Sequence, residues 1–212
     1  FYQQILGLPA GMASIAVGMA IFSDAITDPL IGAFSDRFKS RWGRRHPFLF
    51  LAPAPLALCV FLIFHPPAFV VDSQSLLFAW LFVFTILQRT FQTFYVVPHL
   101  ALGAELSTDY IERTRVMAFN NLFTLYGGML MHVMVWFVIF GFLFADQGGQ
   151  LHRPAYTWTI LLACTIILVS IFACAWGTRD QIPRLLENRI DDGKGFSLLS
   201  CLLYTSPSPR DR

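Results

Sequence analysis

Long stretches of this sequence carry no formal charge, which restricts the chain to folds that place whole segments in lipid. No Asp, Glu, Lys or Arg occurs in residues 1–23, 46–71, 116–145 and 154–178. A helix needs roughly 20 apolar residues to cross the hydrocarbon core of a bilayer, and each stretch reaches that length. The segment from Asp72 to Glu105 is also apolar, apart from Arg89. An open sheet would leave backbone groups unsatisfied in lipid, so we predict helices.

Turn residues separate these stretches. Pro66–Pro67 precedes Asp72–Ser73, and Gly148–Gly149 precedes Pro154. Such residues commonly end helices and start loops. We therefore predict an all-α membrane protein with spanning helices near residues 9–34, 47–65, 76–101, 116–145 and 155–176. Residues 1–8 are predicted to be the end of a first helix that is mostly missing from the chain.

The composition excludes several other classes of protein. Hydrophobic residue types make up 56% of the chain and charged types 13%, whereas soluble domains have roughly 45–50% and about 25%. A disordered chain and a compact soluble enzyme are therefore excluded. The net charge of +2 provides no strong basic surface, so we expect no nucleic-acid partner. The four cysteines lack metal or redox spacing, and we expect no metal site and no cofactor.

Lysine and arginine residues are concentrated in alternate loops. Eleven of them lie in segments 35–46, 103–115 and 177–195. The opposite loops, 66–75 and 146–153, contain only Arg153. Loops rich in Lys and Arg remain on the cytoplasmic side of a membrane. We therefore predict that the first three segments are cytoplasmic, in a multi-pass protein of the plasma (cell inner) membrane that is surrounded by the lipid bilayer.

The C-terminal residues differ in character from the rest of the chain. Cys201–Asp211 read CLLYTSPSPRD, a polar and proline-rich string after an abrupt change in composition. The same eleven residues are the translation of a transposase sequencing adapter. We therefore interpret 196–212 as a non-native tail, of which 201–211 derive from the adapter. The natural protein is expected to continue differently.

Two acidic residues lie inside the first predicted spanning helix. Asp24 and Asp28 are four residues apart and share one helix face. A carboxylate inside a bilayer is costly and usually has a function, and two on one face can bind Na⁺ or share a proton. Pro29 disfavours α geometry at Asp28, so we expect a locally opened helix that frees carbonyl ligands. The alternative is a pair of helix-end acids that are solvated or paired with arginine.

Two blocks of sequence resemble one transporter family. The first is SDAITDPLIG at Ser23–Gly32, followed by Asp36-Arg37 and by SRWGRRHP at Ser40–Pro47. The second comprises Val97-Pro98-His99, Ala104-Glu105-Leu106 and DYIERTR at Asp109–Arg115. This pattern resembles the glycoside–pentoside–hexuronide:cation symporters, which belong to the major facilitator superfamily. The long Asp-Arg-x5-Gly-Arg-Arg spacing distinguishes it from the shorter loop of the superfamily in general.

The resemblance implies a fold, a cation site and a gate. The fold is the N-terminal six-helix half of a twelve-helix bundle, with residues 1–195 as a partial helix bundle and the second half missing. The cation site is Asp24 and Asp28. The implied cytoplasmic gate lies in the loop after the first predicted span, with Asp36, Arg37, Arg41, Gly43, Arg44 and Arg45. We add Glu112 and Arg113 from the charged turn, and expect Arg44 and Arg45 to pair with Asp36 or Glu112.

A solute site is implied near the middle of the bilayer. Arg89 lies inside the third predicted helix beside Gln92, and we interpret it as a hydrogen-bond fork for the solute or a partner for an intramembrane acid. The alternative is an arginine that only snorkels or balances charge. The family's fifth-helix arginine aligns with Asn121, which joins Arg89 and Gln92 as a candidate solute ligand. Val96 stands where the family's melibiose transporter has an acid, so galactoside recognition is not expected.

These observations predict a secondary active transporter. It would couple Na⁺ or H⁺ to the symport of a sugar-like or glycoside-like solute by alternating access. Two alternatives are a facilitator for a lipid or another amphiphile and a non-transporting membrane sensor on the same fold. The sequence contains no nucleophile–base arrangement or phosphate-binding loop, so an enzyme is not expected. The expected partners are the solute, the coupling cation and the second half of the same chain.

The orientation can be tested by labelling. Ser40→Cys and Ser73→Cys, each in a full-length protein whose native cysteines are replaced by serine, should react with a membrane-impermeant thiol reagent from opposite sides. Position 40 should react only after the membrane is opened, because its loop is basic. Labelling of both positions in intact cells would contradict this topology.

Overall fold

The computed structural model describes residues 1–182, except residues 39, 41, 44, 107 and 108. Of Gln147 only the backbone is described. The interpretation of 196–212 as a non-native tail concerns residues outside this part of the chain. Arg41 and Arg44, two of the expected gating residues, also lie outside it.

Helices account for most of the described residues, among which there is no strand. They are α1 (Ala10–Arg37), α2 (His46–Leu51), α3 (Pro53–Phe64), α4 (Ala68–Val71), α5 (Gln74–Glu105), α6 (Tyr110–Val133) and α7 (Arg153–Gly177). Within residues 1–182, five spans are long and apolar enough to cross a membrane: Ala10–Arg37, His46–Phe64, Gln74–Glu105, Tyr110–Leu143 and Arg153–Gln181. The prediction of an all-α membrane fold is confirmed.

Local sequence explains several helix boundaries. The side chain of Asp109 accepts a hydrogen bond from the backbone N–H of Ile111 at 3.1 Å and caps the start of α6. Pro53 occupies the first position of α3, where its missing N–H is tolerated. Gly148 and Gly149 adopt φ values of +100° and +55° in the turn before α7, a region that favours glycine.

The last ten residues of the fourth span, Met134–Leu143, form a π-helix that continues α6. The sequence predicted one uniform helix over 116–145, and its apolar pattern did not indicate this change. In a π-helix each N–H pairs with the carbonyl five residues earlier, so the turns are wider. A Cβ on Gly141 would lie 3.0 Å from the carbonyl oxygen of Trp136, five residues earlier. The glycine therefore permits the close approach of these two turns.

The helices meet in two groups of contacts at opposite ends. At one end, the Tyr2 hydroxyl donates to the carbonyl of Ile63 at 2.6 Å, and His65 bonds Thr157 at 3.1 Å. At the other end, Arg45 bonds Glu105, and His46 bonds Thr178 at 3.1 Å. This second end, called the basic end below, therefore brings together the start of α2 and the ends of α5 and α7.

α1 packs most extensively against α5, and the two helices run parallel in constant register. Asp24 contacts Arg89 and Asp28 contacts Thr93, both across 65 positions of sequence. Gly32 lies against Val97 with the same offset. Contacts that advance by four residues on both helices place one row of side chains against another. Small residues in this row, such as Ala16 and Ala20, which are 0% exposed, allow the backbones to approach closely.

Substitutions at Gly32 should report this packing. A Cβ there would lie 3.7 Å from Cγ1 of Val97, which is an ordinary contact. Gly32→Ala should therefore keep the thermal stability of the purified full-length protein in detergent. Gly32→Leu should overpack the row and destabilise the protein by roughly 1–3 kcal/mol. Equal unfolding midpoints for the two variants would contradict close packing of α1 on α5 at this position.

Candidate cation and solute site

α1 and α5 bring four polar side chains together between two otherwise apolar helix faces. Nη1 of Arg89 donates to Oδ2 of Asp24 at 2.9 Å. One turn further along both helices, the Thr93 hydroxyl donates to Oδ1 of Asp28 at 2.8 Å. The side chains of Asp24 and Arg89 are 22% and 33% exposed. Because each pair is spaced by four residues, both acids face α5 and both of their partners face α1.

A small open cavity of about 150 Å³ lies between these helices. It is lined by Asp24, Asp28, Arg89, Gln92, Thr93, Val96 and Val97. Oδ1 of Asp24 is buried and has no hydrogen-bond partner among the described residues. A buried acceptor without a donor is destabilising unless water or an ion completes its shell. Carboxylate and hydroxyl oxygens at this spacing suit a small hard cation.

Pro29 does not open the helix beside the acids. α1 is continuous from Ala10 to Arg37 and contains Pro29 in its interior, so the expectation of a locally opened helix is wrong. The φ angle of proline is close to the helical value, and the ring removes a single backbone bond, to the carbonyl of Ala25. Packing of α1 along α5 holds the helix together across this position. The change in backbone ligands is therefore limited to one carbonyl oxygen.

The three candidate solute ligands do not all meet. Arg89 and Gln92 line the cavity, and Gln92 accepts a hydrogen bond from Gln88 at 3.0 Å. Asn121 is exposed on α6 and is not among the residues that line this cavity. Its neighbour Asn120 instead bonds His99 of α5 at 3.3 Å. The structure therefore brings together both acids, Arg89 and Gln92, while Asn121 stands apart from them.

The gating residues meet at the basic end around a buried arginine. Arg45, whose side chain is 9% exposed, donates from Nε and Nη2 to the two carboxylate oxygens of Glu105 at 3.1 and 2.7 Å. Nη2 of Arg45 also lies 3.2 Å from Oδ1 of Asp36. This group of three, called the Arg45 clamp below, joins the ends of α1 and α5 to the start of α2. Such a two-bond fork is a strong and geometrically specific contact.

The other expected gating residues have different positions. Gly43 is buried and has φ +80°, so its backbone conformation favours glycine. Arg37, Glu112 and Arg113 are exposed on helices at the same end. The expected partner Asp36 does contact Arg45, whereas Glu105, the two-bond partner, was not expected. It lies 60 residues from Arg45, and no spacing rule within one helix could identify the pair.

A polar chain that the sequence did not indicate links four helices at the basic end. His46 of α2 bonds Thr178, whose hydroxyl donates to the carbonyl of Cys174. Sγ of Cys174 lies 3.5 Å from Nδ1 of His99, and the other ring nitrogen of His99 bonds Asn120. These contacts satisfy polar groups of α2, α5, α6 and α7 within apolar surroundings. They give the basic end a second connection beside the Arg45 clamp.

Comparison with protein families matches residues 1–198 to the family described as MFS/sugar transport protein. The match includes the acid pair, the Arg45 loop and Arg89. The chain belongs to the glycoside–pentoside–hexuronide:cation symporter family of the major facilitator superfamily. The resemblance predicted from the sequence is confirmed.

The chain is similar to three curated proteins from three different organisms. The uncharacterized symporter sll1374 of Synechocystis is 32% identical over 179 residues, which cover 83% of this chain and 31% of that protein. The inner membrane symporter YicJ of Escherichia coli is 29% identical over 135 residues, 64% of this chain and 29% of YicJ. The sodium-dependent lysophosphatidylcholine symporter 1-B of Danio rerio is 32% identical over 126 residues, 57% of this chain and 23% of that protein.

This chain covers only part of the length of its relatives. The chain spans less than a third of the length of these relatives, at 31%, 29% and 23%. It corresponds to part of a protein of this family. The five apolar spans among its described residues agree with a multi-pass protein of the cell inner membrane.

The two contacts of Arg45 should contribute unequally to stability. Glu105→Gln removes the charge that accepts two bonds from a buried guanidinium, and should lower the free energy of unfolding by about 1–3 kcal/mol. Asp36→Asn removes one contact to a carboxylate that is 52% exposed, and should cost about 0–1 kcal/mol. Thermal unfolding of the purified full-length variants measures both. An Asp36→Asn variant that is as destabilised as Glu105→Gln would contradict this ranking.

Proposed function

We propose that the full-length protein is a secondary active transporter that couples the movement of a small, sugar-like solute to Na⁺ or H⁺. The observation that carries this proposal is the group of Asp24, Asp28 and Thr93 at the cavity between α1 and α5. Carboxylates in an apolar membrane segment are rarely retained without a function. Membership of a symporter family supports the same function.

The charges of the site suit one monovalent cation. Asp24 and Asp28 contribute two negative charges, and Arg89 contributes one positive charge. The remaining single negative charge is unfavourable in an apolar environment, where burying an uncompensated ion costs several kcal/mol. A bound Na⁺ or a proton neutralises it. Neutralisation then favours a conformation in which the site is closed to water, as alternating access requires.

The hydroxyl of Thr93 can form favourable contacts both when the site is empty and when it holds a cation. Its oxygen lies 2.8 Å from Oδ1 of Asp28 and 3.2 Å from the carbonyl oxygen of Arg89. A hydroxyl has one proton to donate and two lone pairs. Without a cation, it donates to Asp28. With a cation beside Asp28, the proton turns to the Arg89 carbonyl and the oxygen becomes a ligand. Thr93 is thus a third oxygen ligand, which the sequence alone did not select.

Arg89 and Gln92 are the proposed contacts of the solute. Both line the cavity and carry N–H donors, which suit the hydroxyl oxygens of a sugar. The family's description as sugar transport proteins supports this class. Asn121, placed here by resemblance, lies on an exposed face of α6, where it could contact solute only in the complete protein.

A lipid-like solute is the second candidate. The observation that favours it is the apolar wall that Val96 and Val97 form in the cavity. The family's melibiose transporter has an acid at the position of Val96. Such an apolar wall is less suited to a solute with hydroxyl groups on every side. A relative in the same family is named a sodium-dependent lysophosphatidylcholine symporter, so amphiphiles are within the range of the fold.

The Arg45 clamp is the proposed gate of the cytoplasmic side. It ties α1 and α5 together at the basic end, and its charged groups must separate if that end is to open. The buried two-bond fork to Glu105 favours the closed conformation, and the contact to the exposed Asp36 adds little. Breaking both contacts shifts the equilibrium between the closed and open conformations.

Neutral variants of the two acids should separate coupling from translocation. Asp24→Asn and Asp28→Asn should each abolish cation-stimulated accumulation of solute in vesicles. Exchange of solute down its own gradient should persist, because the acids couple transport without forming the whole pathway. The measurement is counterflow and gradient-driven uptake of a panel of radiolabelled sugars and lysolipids, with an imposed Na⁺ or pH gradient.

Asp72→Asn is the matched control for loss of an acid, because Asp72 is exposed between α4 and α5. It should leave cation-stimulated accumulation intact. Normal accumulation by both site variants would eliminate the proposed cation site. The panel also separates the two solute classes, since a lipid symporter should accumulate lysolipid and not sugar.

A further inference from the structure

Two arginine–carboxylate contacts in this structure differ in strength. Arg45 makes two hydrogen bonds to Glu105 and one further contact to Asp36, and its side chain is 9% exposed. Arg89 contacts Asp24 through Nη1 alone, and its side chain is 33% exposed. Parallel hydrogen bonds strengthen and orient a guanidinium–carboxylate contact. The Arg89–Asp24 contact lacks the second bond, so it exchanges more easily than the contact at the basic end.

Both members of the weaker pair have bonding capacity left at the cavity. Oδ1 of Asp24 is buried and lacks a hydrogen-bond partner within the described part of the chain. Among the described residues, the Arg89 guanidinium donates to Asp24 through Nη1. A guanidinium carries five N–H donors, so one contact leaves most of them for water or a bound molecule. Asp24 and Arg89 therefore use only part of their hydrogen-bonding capacity on each other. A ligand that binds one of them more strongly can displace the other.

We propose that Arg89 is a tethered counter-cation, which occupies Asp24 when the coupling cation is absent and competes with that cation for the site. The proposal rests on the proposed function, because it takes Asp24 and Asp28 as the coupling site. It gives Arg89 a role beyond binding the solute and beyond balancing the charge of the acids.

The competition limits the number of cations that the site takes. With Arg89 present, the group of Asp24, Asp28 and Arg89 carries one net negative charge, and one monovalent cation neutralises it. Without the arginine, the two carboxylates would attract the cation more strongly and could hold two. Arg89 thus lowers the affinity for the cation, which helps release on the side where the cation is dilute.

The same exchange connects the cation to the solute. A cation that binds between the two acids shares the charge of Asp24 and weakens its contact with Arg89. The released guanidinium then offers donors to the oxygens of a solute in the same cavity. Each ligand therefore favours binding of the other, which is the coupling free energy that symport needs.

A set of charge variants in the full-length protein tests this exchange without any solute. Arg89→Gln and Arg89→Met remove the positive charge, and Arg89→Lys is the matched control that keeps it. Asp24→Asn and the double variant Asp24→Asn with Arg89→Gln complete the set. The measurement is the shift in thermal unfolding of the purified protein as Na⁺ replaces choline at constant ionic strength. If wild type accumulates solute only with a pH gradient, protons are titrated instead.

The expected order follows the net charge of the site. Arg89→Gln and Arg89→Met should lower the half-saturating cation concentration by up to about fivefold, the effect of removing one partly exposed ion pair. Arg89→Lys should stay within about twofold of wild type, since the charge is kept. Asp24→Asn alone should lose the response, because Arg89 then neutralises Asp28. The double variant should regain it, because one carboxylate again lacks a counter-charge.

The double variant decides between this inference and a fixed two-acid site. If Asp24 is an indispensable ligand and Arg89 only contacts the solute, the double variant should be as unresponsive as Asp24→Asn. That result, or an unchanged half-saturating concentration in both neutral Arg89 variants, would overturn the inference. Failure of the proposed function is distinct, because wild type itself would then show neither cation-dependent stabilisation nor cation-driven accumulation. Arg89→Met provides a second neutral variant if Arg89→Gln does not fold.

Discussion

A positive charge beside a carboxylate in the apolar part of a membrane protein lowers the cost of placing that carboxylate there, and Arg89 provides this charge for Asp24. The contact requires α1 and α5 to lie in one register, with small residues such as Ala16 and Gly32 in the packed row. That register also sets Thr93 against Asp28. The cavity, its lining and its net charge all depend on this alignment of two parallel helices.

The two arginine–carboxylate contacts along α1 and α5 differ in burial and in their number of hydrogen bonds. At the basic end, the Arg45 clamp uses a two-bond fork in a buried position and ties helix ends together. Nearer the middle of the spans, Arg89 uses one bond beside an open cavity. Both kinds of contact suit the proposed transport by alternating access, in which one side stays closed while the central site exchanges its ligand.

Sequence reasoning succeeded where the signal was local. Charge-free stretches located the spans, and the four-residue spacing of Asp24 and Asp28 placed them on one face. It failed where the determinant was distant or cooperative. Glu105 is 60 residues from Arg45, and the apolar pattern gave no sign of the π-helix from Met134, in which Gly141 lies close to the carbonyl of Trp136. Pro29 was expected to open α1, but the packed neighbour α5 keeps the helix continuous.

By itself, the sequence determined that the chain crosses a membrane as helices, which family it belongs to, and which acids lie within a span. These properties follow from composition and short-range spacing, because lipid admits few charges and a helix has a fixed period. Only the tertiary structure decided which arginine meets which acid. Arg45 and Arg89 are both arginines near carboxylates, and only the packing of α1, α2 and α5 makes one a buried two-bond fork and the other a single, partly exposed contact.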